Sequence, residues 1–479
     1  MSLSMIKQTL IGIAAVANAV SGFAADAPQP TKTTRPNILF LLADDQRYDA
    51  LGCAGHPIIK TPVIDRLAAE GVRFRNAFVT TAICAASRAS ILTGLHERRH
   101  GYTFGKPPVS AEHMEASYPM LMRQAGYRTG FIGKYDVKSV VDQKAVFDVV
   151  HNIGRSPYFK KQPDGSLRHE TELCADRAID FINQNPEGEP FCLSVSFNAS
   201  HAEDEDKRPG IGHYPWPKTV DGMYEDVLIP PPRLNDPAIF ENLPEFLRNP
   251  RTSMNRERYF WGLDTPEKYQ ANMRGYFRMI SGIDHAIGRI RQALDARGLA
   301  DNTVIIYMAD NGYYMGDRGF AGKWTHYEQS LRVPLIVYDP RLPDAKRGRT
   351  PGQMALNIDI PSTLLDLAGV PAPEQYQGRS LLPIIDANDD NVPGWRQDFF
   401  CEHLMNHKQL PKWEGVRGER YVYARYFEQK PVYEFLHDLK EDPDQLNNLA
   451  ASAPHAAILE TMRARCDALC EQYKRTPGK

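Results

Sequence analysis

NILFLLADD, residues 37–45, is the stretch on which the fold turns. Its apolar run follows neither a helical nor an alternating period, and it closes on Asp44 and Asp45. Such a run reads as a strand buried on both faces, which is the signature of a parallel sheet, with two acids at its carboxyl end. TPVIDRLAAEG (61–71) follows as a helix, with Thr61 as cap, Pro62 first and Gly71 as the stop. VRFRNAFV (72–79) reads as the next strand. The alternation continues with helix YPMLMRQAG (118–126), strand YRTGFIG (127–133), helix CADRAIDFINQ (174–184) and strand PFCLSVSF (190–197). A long helix over about 266–299 then leads to strand TVIIYMAD (303–310), and VPLIVYDP (333–340) is a later strand. The expected fold is α/β, a large and mostly parallel sheet sandwiched by helices.

Residues 199–265 are loop-rich, and so long an insertion reads as a functional rim. After QGRSLLPII (377–385) the pattern changes. VRGERYVYARYF (416–427) and PVYEFLHDL (431–439) alternate as antiparallel strands before a final helix near 454–473. The expected organisation is a signal peptide at 1–24, a linker at 25–34, a catalytic α/β domain at 35–386 and a smaller C-terminal α+β subdomain at 387–479. The first thirty residues carry Lys7, a short apolar stretch and the small-residue ending SGFAA, which predicts export to the periplasm or beyond. No later stretch is long and apolar enough to span a membrane, so none is expected after signal cleavage.

Composition narrows the partners. The 479 residues are 42% hydrophobic, with a formal charge of −2 and a mean hydropathy of −0.45. Lys and Arg are dispersed, so no basic field recruits nucleic acid. Seven cysteines could supply disulfides and still leave one over. Cys466 and Cys470 share one helix face, where bridging geometry is poor.

Ligands of open α/β sheets bind beyond the carboxyl ends of the strands. Reactive residues recur at those ends: Asp44 and Asp45, Cys84 with Arg88, Lys134, His201, and Asp310 with Asn311. Singly each has an ordinary reading, the acids as caps or turns and the cysteine as a small core hydrophobe. Together they describe one pocket. Asp44, Asp45, Asp310 and Asn311 offer only oxygen, the set that Ca²⁺ or Mg²⁺ prefers and zinc does not. SRASILTG (87–94) opens as a helix after Cys84, and amides at a helix start beside Arg88 attract an anion. Lys134 and Lys323 extend that cationic set toward a small oxyanion such as sulfate or phosphate.

CAASRASILTG (84–94) fits Cys/Ser-x-Pro/Ala-x-Arg followed by Thr-Gly, and here the chain resembles the type I sulfatases of the alkaline-phosphatase superfamily. NILFLLADD, GK (133–134), DNG (310–312), GKW (322–324), RVPLIVYDP (332–340) and YEFLHDLKEDPDQLNNL (433–449) resemble family signatures in the expected order. The likeness spans roughly 35–450. It implies that a formylglycine-generating maturation enzyme oxidises Cys84 to 3-oxoalanine (formylglycine). A hydrated aldehyde carries two hydroxyls on one carbon: one attacks sulfur, and deprotonation of the other expels sulfate. It further implies one Ca²⁺ held by Asp44, Asp45, Asp310, Asn311 and the modified Cys84, with Arg88 beside the diol. Lys134, His201 and Lys323 contact the sulfate, and His201 or Lys323 protonates the leaving oxygen. The implied substrate is a sulfated carbohydrate.

Three positions depart from the family pattern. Ala86 stands where Pro is common, and Ser200 precedes His201 where many relatives have Pro. More consequentially, GKYD (133–136) places Asp136 where many relatives have His, which leaves the elimination base to Asp136 or to His326 of GKWTHYE. Glu402, His403 and Arg417 offer a possible substrate rim, and the aromatics of HYPWP (213–217) a stacking surface for sugar. Two alternatives stand beside the sulfatase reading. One is a phosphonate or phosphodiester hydrolase of the same superfamily; the other is a sulfated-glycan binding protein with impaired catalysis. Cys84 and Asn311 argue against the two-zinc phosphatases.

Overall fold

Asn37–Ala43 (β1) is the central strand its sequence predicts, buried at every residue. The structure, a computed structural model, describes residues 35–206, 213–389 and 391–474; the signal and linker residues lie outside these. The other strands of the main sheet are Val72–Arg73 (β2), Arg128–Gly133 (β3), Val149–Asn152 (β4), Phe191–Ser196 (β5), Thr303–Ala309 (β6) and Leu335–Tyr338 (β7). They order as β2-β7-β6-β1-β5-β3-β4. The run from β6 to β4 is parallel throughout. β7 lies antiparallel to both β6 and β2, so one edge of the sheet is mixed.

VRFRNAFV is not one strand. Val72–Arg73 joins the main sheet, and Asn76–Phe78 leaves it to pair in parallel with Met354–Leu356. Phe74 and Phe78 are both buried across the break, so the inward alternation persists and conceals it. The described residues of the insertion at 199–265 hold more regular structure than its composition suggests, with helices at Pro237–Glu241, Glu245–Arg248 and Met254–Gly262. The long helix Pro266–Ala296 begins on Thr265, whose hydroxyl accepts from Lys268 N–H at 3.3 Å.

The second sheet is a meander of Asp398–His403 (β8), Trp413–Gly418 (β9), Tyr421–Tyr426 (β10) and Tyr433–Asp438 (β11). Helix Ala456–Tyr473 covers one face, burying Leu459, Cys466 and Leu469 against Phe400, Val416, Tyr423 and Leu436. The other face joins the main core through Phe399, Trp413, Tyr426 and Phe435. Trp413 Nε1 donates to the Trp324 carbonyl at 2.8 Å. Arg98 reaches Glu402 and Glu414 at 2.7 Å each. All seven cysteines are unbridged. Among the described residues no helix is long and apolar enough to cross a membrane.

Candidate active site

Strand register assembles the site. Ala43 pairs with Ala309, Leu42 with Ser196, and Ser196 with Gly133. The residues one step further, Asp44, Asp310 and Lys134, therefore leave the sheet side by side at its carboxyl edge. Cys84 is the first residue of helix Cys84–Thr93, whose ten residues are all buried. Arg88, one turn on, donates from Nε to Asp310 Oδ2 at 2.8 Å and from Nη1 to the Lys134 carbonyl at 2.6 Å and to Ser196 Oγ. The helix thus presents residue 84 at its mouth while Arg88 bolts it to the strand ends.

Charge is densely packed here. Lys134 Nζ bonds Asp44, and Lys323 Nζ bonds Asp45. Asn311 Nδ2 donates to Asp45 Oδ1 at 2.6 Å. Burial opposes ionisation of Asp44, yet Lys134, His201, Arg88 and Lys323 outweigh it and hold that carboxyl well below its usual range. Asp310 goes the other way: burial and the neighbouring Asp44 push it up to about 7. Three acceptors, Asp44 Oδ1, Asp45 Oδ2 and Asn311 Oδ1, are buried with no hydrogen-bond partner. Unpaired buried oxygens are costly, and three of them on neighbouring side chains plus crowded carboxylates fit a hard divalent cation. Ligand atoms of Asp44, Asp45 and His201 lie within 4.8 Å of one another.

These residues open on a cleft of about 750 Å³ whose wall includes Cys84, Lys134, Asp136, His201 and Lys323. Cys84 Sγ lies 3.6 Å from Asp136 Oδ2, which is itself 3.5 Å from Lys134 Nζ. Burial pushes the Cys84 thiol up to about 11 despite the two lysines. Burial also pulls His201 down to about 4, leaving a neutral imidazole.

His326 does not reach this cleft. It is buried in an aromatic cluster of the second sheet, Nδ1 at 3.1 Å from Tyr426 Oη and Nε2 at 3.5 Å from His437 Nε2. Trp324, with φ 75°, turns the chain between Lys323 and His326, so the two side chains serve different places. Glu402 is tied to Arg98 and Arg417 to Glu328, while His403 is fully buried; these residues join the layers and form no rim. Tyr214 packs on Tyr276 and Trp216 beneath Arg278, so both serve the long helix. Sequence reasoning missed Arg155, Asp204, Arg258 and Trp324, which also line the cleft. Asp204 and Arg258 fall within the insertion read as a rim, which is the one signal pointing to them. Arg155 lies on a loop with no motif.

A profile of the sulfatase family matches residues 36–370, and one described as N-sulphoglucosamine sulphohydrolase, C-terminal, matches 316–472. An N-acetylglucosamine-6-O-sulfatase of Bacteroides thetaiotaomicron is 28% identical, over 93% of this chain and 88% of its own length. A solved structure in complex with its substrate, D-glucosamine-2-N,6-O-disulfate, superposes with a TM-score of 0.74 at 25% identity, covering 92% of this chain and 98% of the other. The phosphonate monoester hydrolase of Agrobacterium radiobacter shares the fold at a TM-score of 0.72 and 24% identity, over 92% and 96% of the two chains. With the family profile running from the first strand past the last strand of the main sheet, the chain belongs to the sulfatase family of the alkaline phosphatase superfamily and is a sulfatase.

Proposed function

We propose that this sulfatase is exported, matures by oxidation of Cys84 to formylglycine, holds one Ca²⁺ and removes sulfate from a sulfated carbohydrate. The observation carrying the proposal is the trio of unpartnered buried oxygens, Asp44 Oδ1, Asp45 Oδ2 and Asn311 Oδ1, with Lys134 and Lys323 on the other carboxylate oxygens of Asp44 and Asp45. A thiol held near 11 by burial is a poor nucleophile at neutral pH, which favours a modified residue there. The carbohydrate class is supported by the similar N-acetylglucosamine-6-O-sulfatase and by the related structure with a sulfated glucosamine. Export rests on the sequence of residues 1–24.

Ca²⁺ on Asp44, Asp45, Asp310 and Asn311 would supply a Lewis acid that draws charge from the sulfuryl oxygens, and a hydrated aldehyde at residue 84 would supply the nucleophilic hydroxyl. The chain's own residues do the rest. Arg88 fixes the mouth of the helix against Asp310 and the Lys134 carbonyl. Lys134 and Lys323 neutralise the charge that grows on sulfuryl oxygens, in a buried place where such charge is strongly felt. Lys323 stands on the cleft wall beside the neutral His201, to protonate the departing oxygen. Asp136, in reach of residue 84, takes up the proton whose loss expels sulfate.

Mass spectrometry of the Cys84 peptide and metal analysis of active protein test the proposal. Aldehyde at residue 84 and about one Ca²⁺ per chain are expected, and Asp310→Asn should lose the metal and about 10²–10³ in kcat. Full activity with an intact thiol, or zinc in place of calcium, overturns it. Preference for a phosphonate ester over a sulfated saccharide returns the chain to the phosphonate hydrolase reading.

A further inference from the structure

Beyond the sulfate-handling residues, the cleft holds a second cationic wall. Arg155 Nη1 lies 3.3 Å and Arg258 Nη2 3.1 Å from the same oxygen, Asp204 Oδ2. Two guanidiniums share one carboxylate, so a positive charge is left over at contact distance. Arg258 is pinned by aromatic faces, with its Cζ 5.0 Å from the Trp324 ring centre and 5.3 Å from that of Trp261. Its Nε and Nη1 are buried, with Tyr313 beside the guanidinium, and Nη2 is the nitrogen that meets Asp204. The side chains of Arg155 and Arg258 are 25% and 13% exposed, so the cleft can reach both. Trp324 is the neighbour of Lys323, which ties this wall to the reacting end.

Two guanidiniums that meet at the cleft wall, one of them held rigid by stacking, are suited to a carboxylate or to the oxygens of a sulfate. A neutral sugar hydroxyl would not need a surplus charge, and water alone would not need the two indoles that fix Arg258. The sulfate being removed is already served by Lys134, Lys323 and His201. We infer that this wall is a subsite for a second anionic group on the substrate: the saccharide carries a further sulfate or a carboxylate besides the sulfate that leaves. This rests on the sulfated-carbohydrate reading above and narrows it to polyanionic saccharides.

Calorimetric titration of Ca²⁺-loaded Cys84→Ala protein, which binds without turnover, tests the subsite with matched pairs. One pair is N-acetylglucosamine 6-sulfate and glucosamine-2-N,6-O-disulfate; the other is a sulfated hexosamine with and without an adjoining uronate. The member with the second anion should bind at least about tenfold more tightly, and raised salt should erode the difference. The first pair reports a sulfate ligand and the second a carboxylate. In the same background Arg258→Gln should bring each pair within about twofold. Arg258→Lys, which keeps the charge but loses the fork, should fall between. Equal affinities within both pairs, absence of binding by every member, or a preference untouched by Arg258→Gln in a protein that melts normally overturns the inference. Failure of the parent reading would appear separately, as wild-type protein with no aldehyde at residue 84 and no sulfate release while the pairwise preference persists.

Discussion

Asp136 lies 3.6 Å from Cys84 Sγ, while His326 is sealed among rings of the second sheet. That contrast assigns the two residues different fates on mutation. Asp136→Asn should still transfer sulfate to residue 84 but stall its release. The expected trace is a burst of desulfated product followed by slow turnover, read by rapid-quench kinetics. His326→Ala should give no burst; its loss of a buried ring costs stability, on the order of 2–4 kcal/mol for so large a deletion in a packed core. A burst in the His326 variant and none in the Asp136 variant would reverse the assignment. Asp136 also has φ 54°, a left-handed backbone that Asp and Asn both tolerate, so Asp136→Asn leaves the loop undisturbed.

Among the elements, helix Cys84–Thr93 matters most because its first residue is the candidate nucleophile. Its end is as closely specified as its start. Gly94 closes it with φ 69°, and a Cβ there would stand 2.7 Å from the Tyr376 ring. Gly94→Ala should therefore cost about 1–3 kcal/mol, from left-handed strain and from displacement of Tyr376. Thermal unfolding measures the cost. A melting temperature equal to that of the wild type would mean that the helix end yields freely.

The whole molecule is held together where the helix layer of the main sheet meets the second sheet. Arg98 is fixed by Glu402 and Glu414, and Glu97 sits beside Glu402 with Thr81 Oγ1 donating to it at 2.7 Å. Burial and the nearby Glu402 push the Glu97 carboxyl up to about 8. In the unfolded chain a glutamate titrates near about 4.3. Between those values the folded protein keeps a proton that the unfolded chain has lost. The stability from this group is therefore full below about pH 4 and drains away as pH rises through 8. The melting temperature should fall from pH 6 to pH 9, and Glu97→Gln, which cannot ionise, should flatten part of that fall. An unchanged slope in the variant would remove Glu97 from the pH response.

Much of this was legible in the chain because it depends on local order. The apolar run 37–43 with acids at its end, the Cys84–Arg88 spacing and the DNG after 303–309 specify strand ends and a helix mouth, and strand ends are where an α/β sheet gathers its ligands. The structure brings Asp44, Asp45, Cys84, Arg88, Lys134, His201, Asp310 and Asn311 to the same edge of the sheet. The break inside 72–79 stayed hidden because both pieces keep their inward phenylalanines. The separation of Lys323 from His326 was equally invisible, because it depends on the backbone turn at Trp324 and on rings arriving from the second sheet. Arg155, Asp204 and Arg258 come from a loop, the start of the insertion and one of its short helices. Chain order says nothing of a carboxylate shared between guanidiniums that lie about a hundred residues apart, so that wall exists only once the chain has folded.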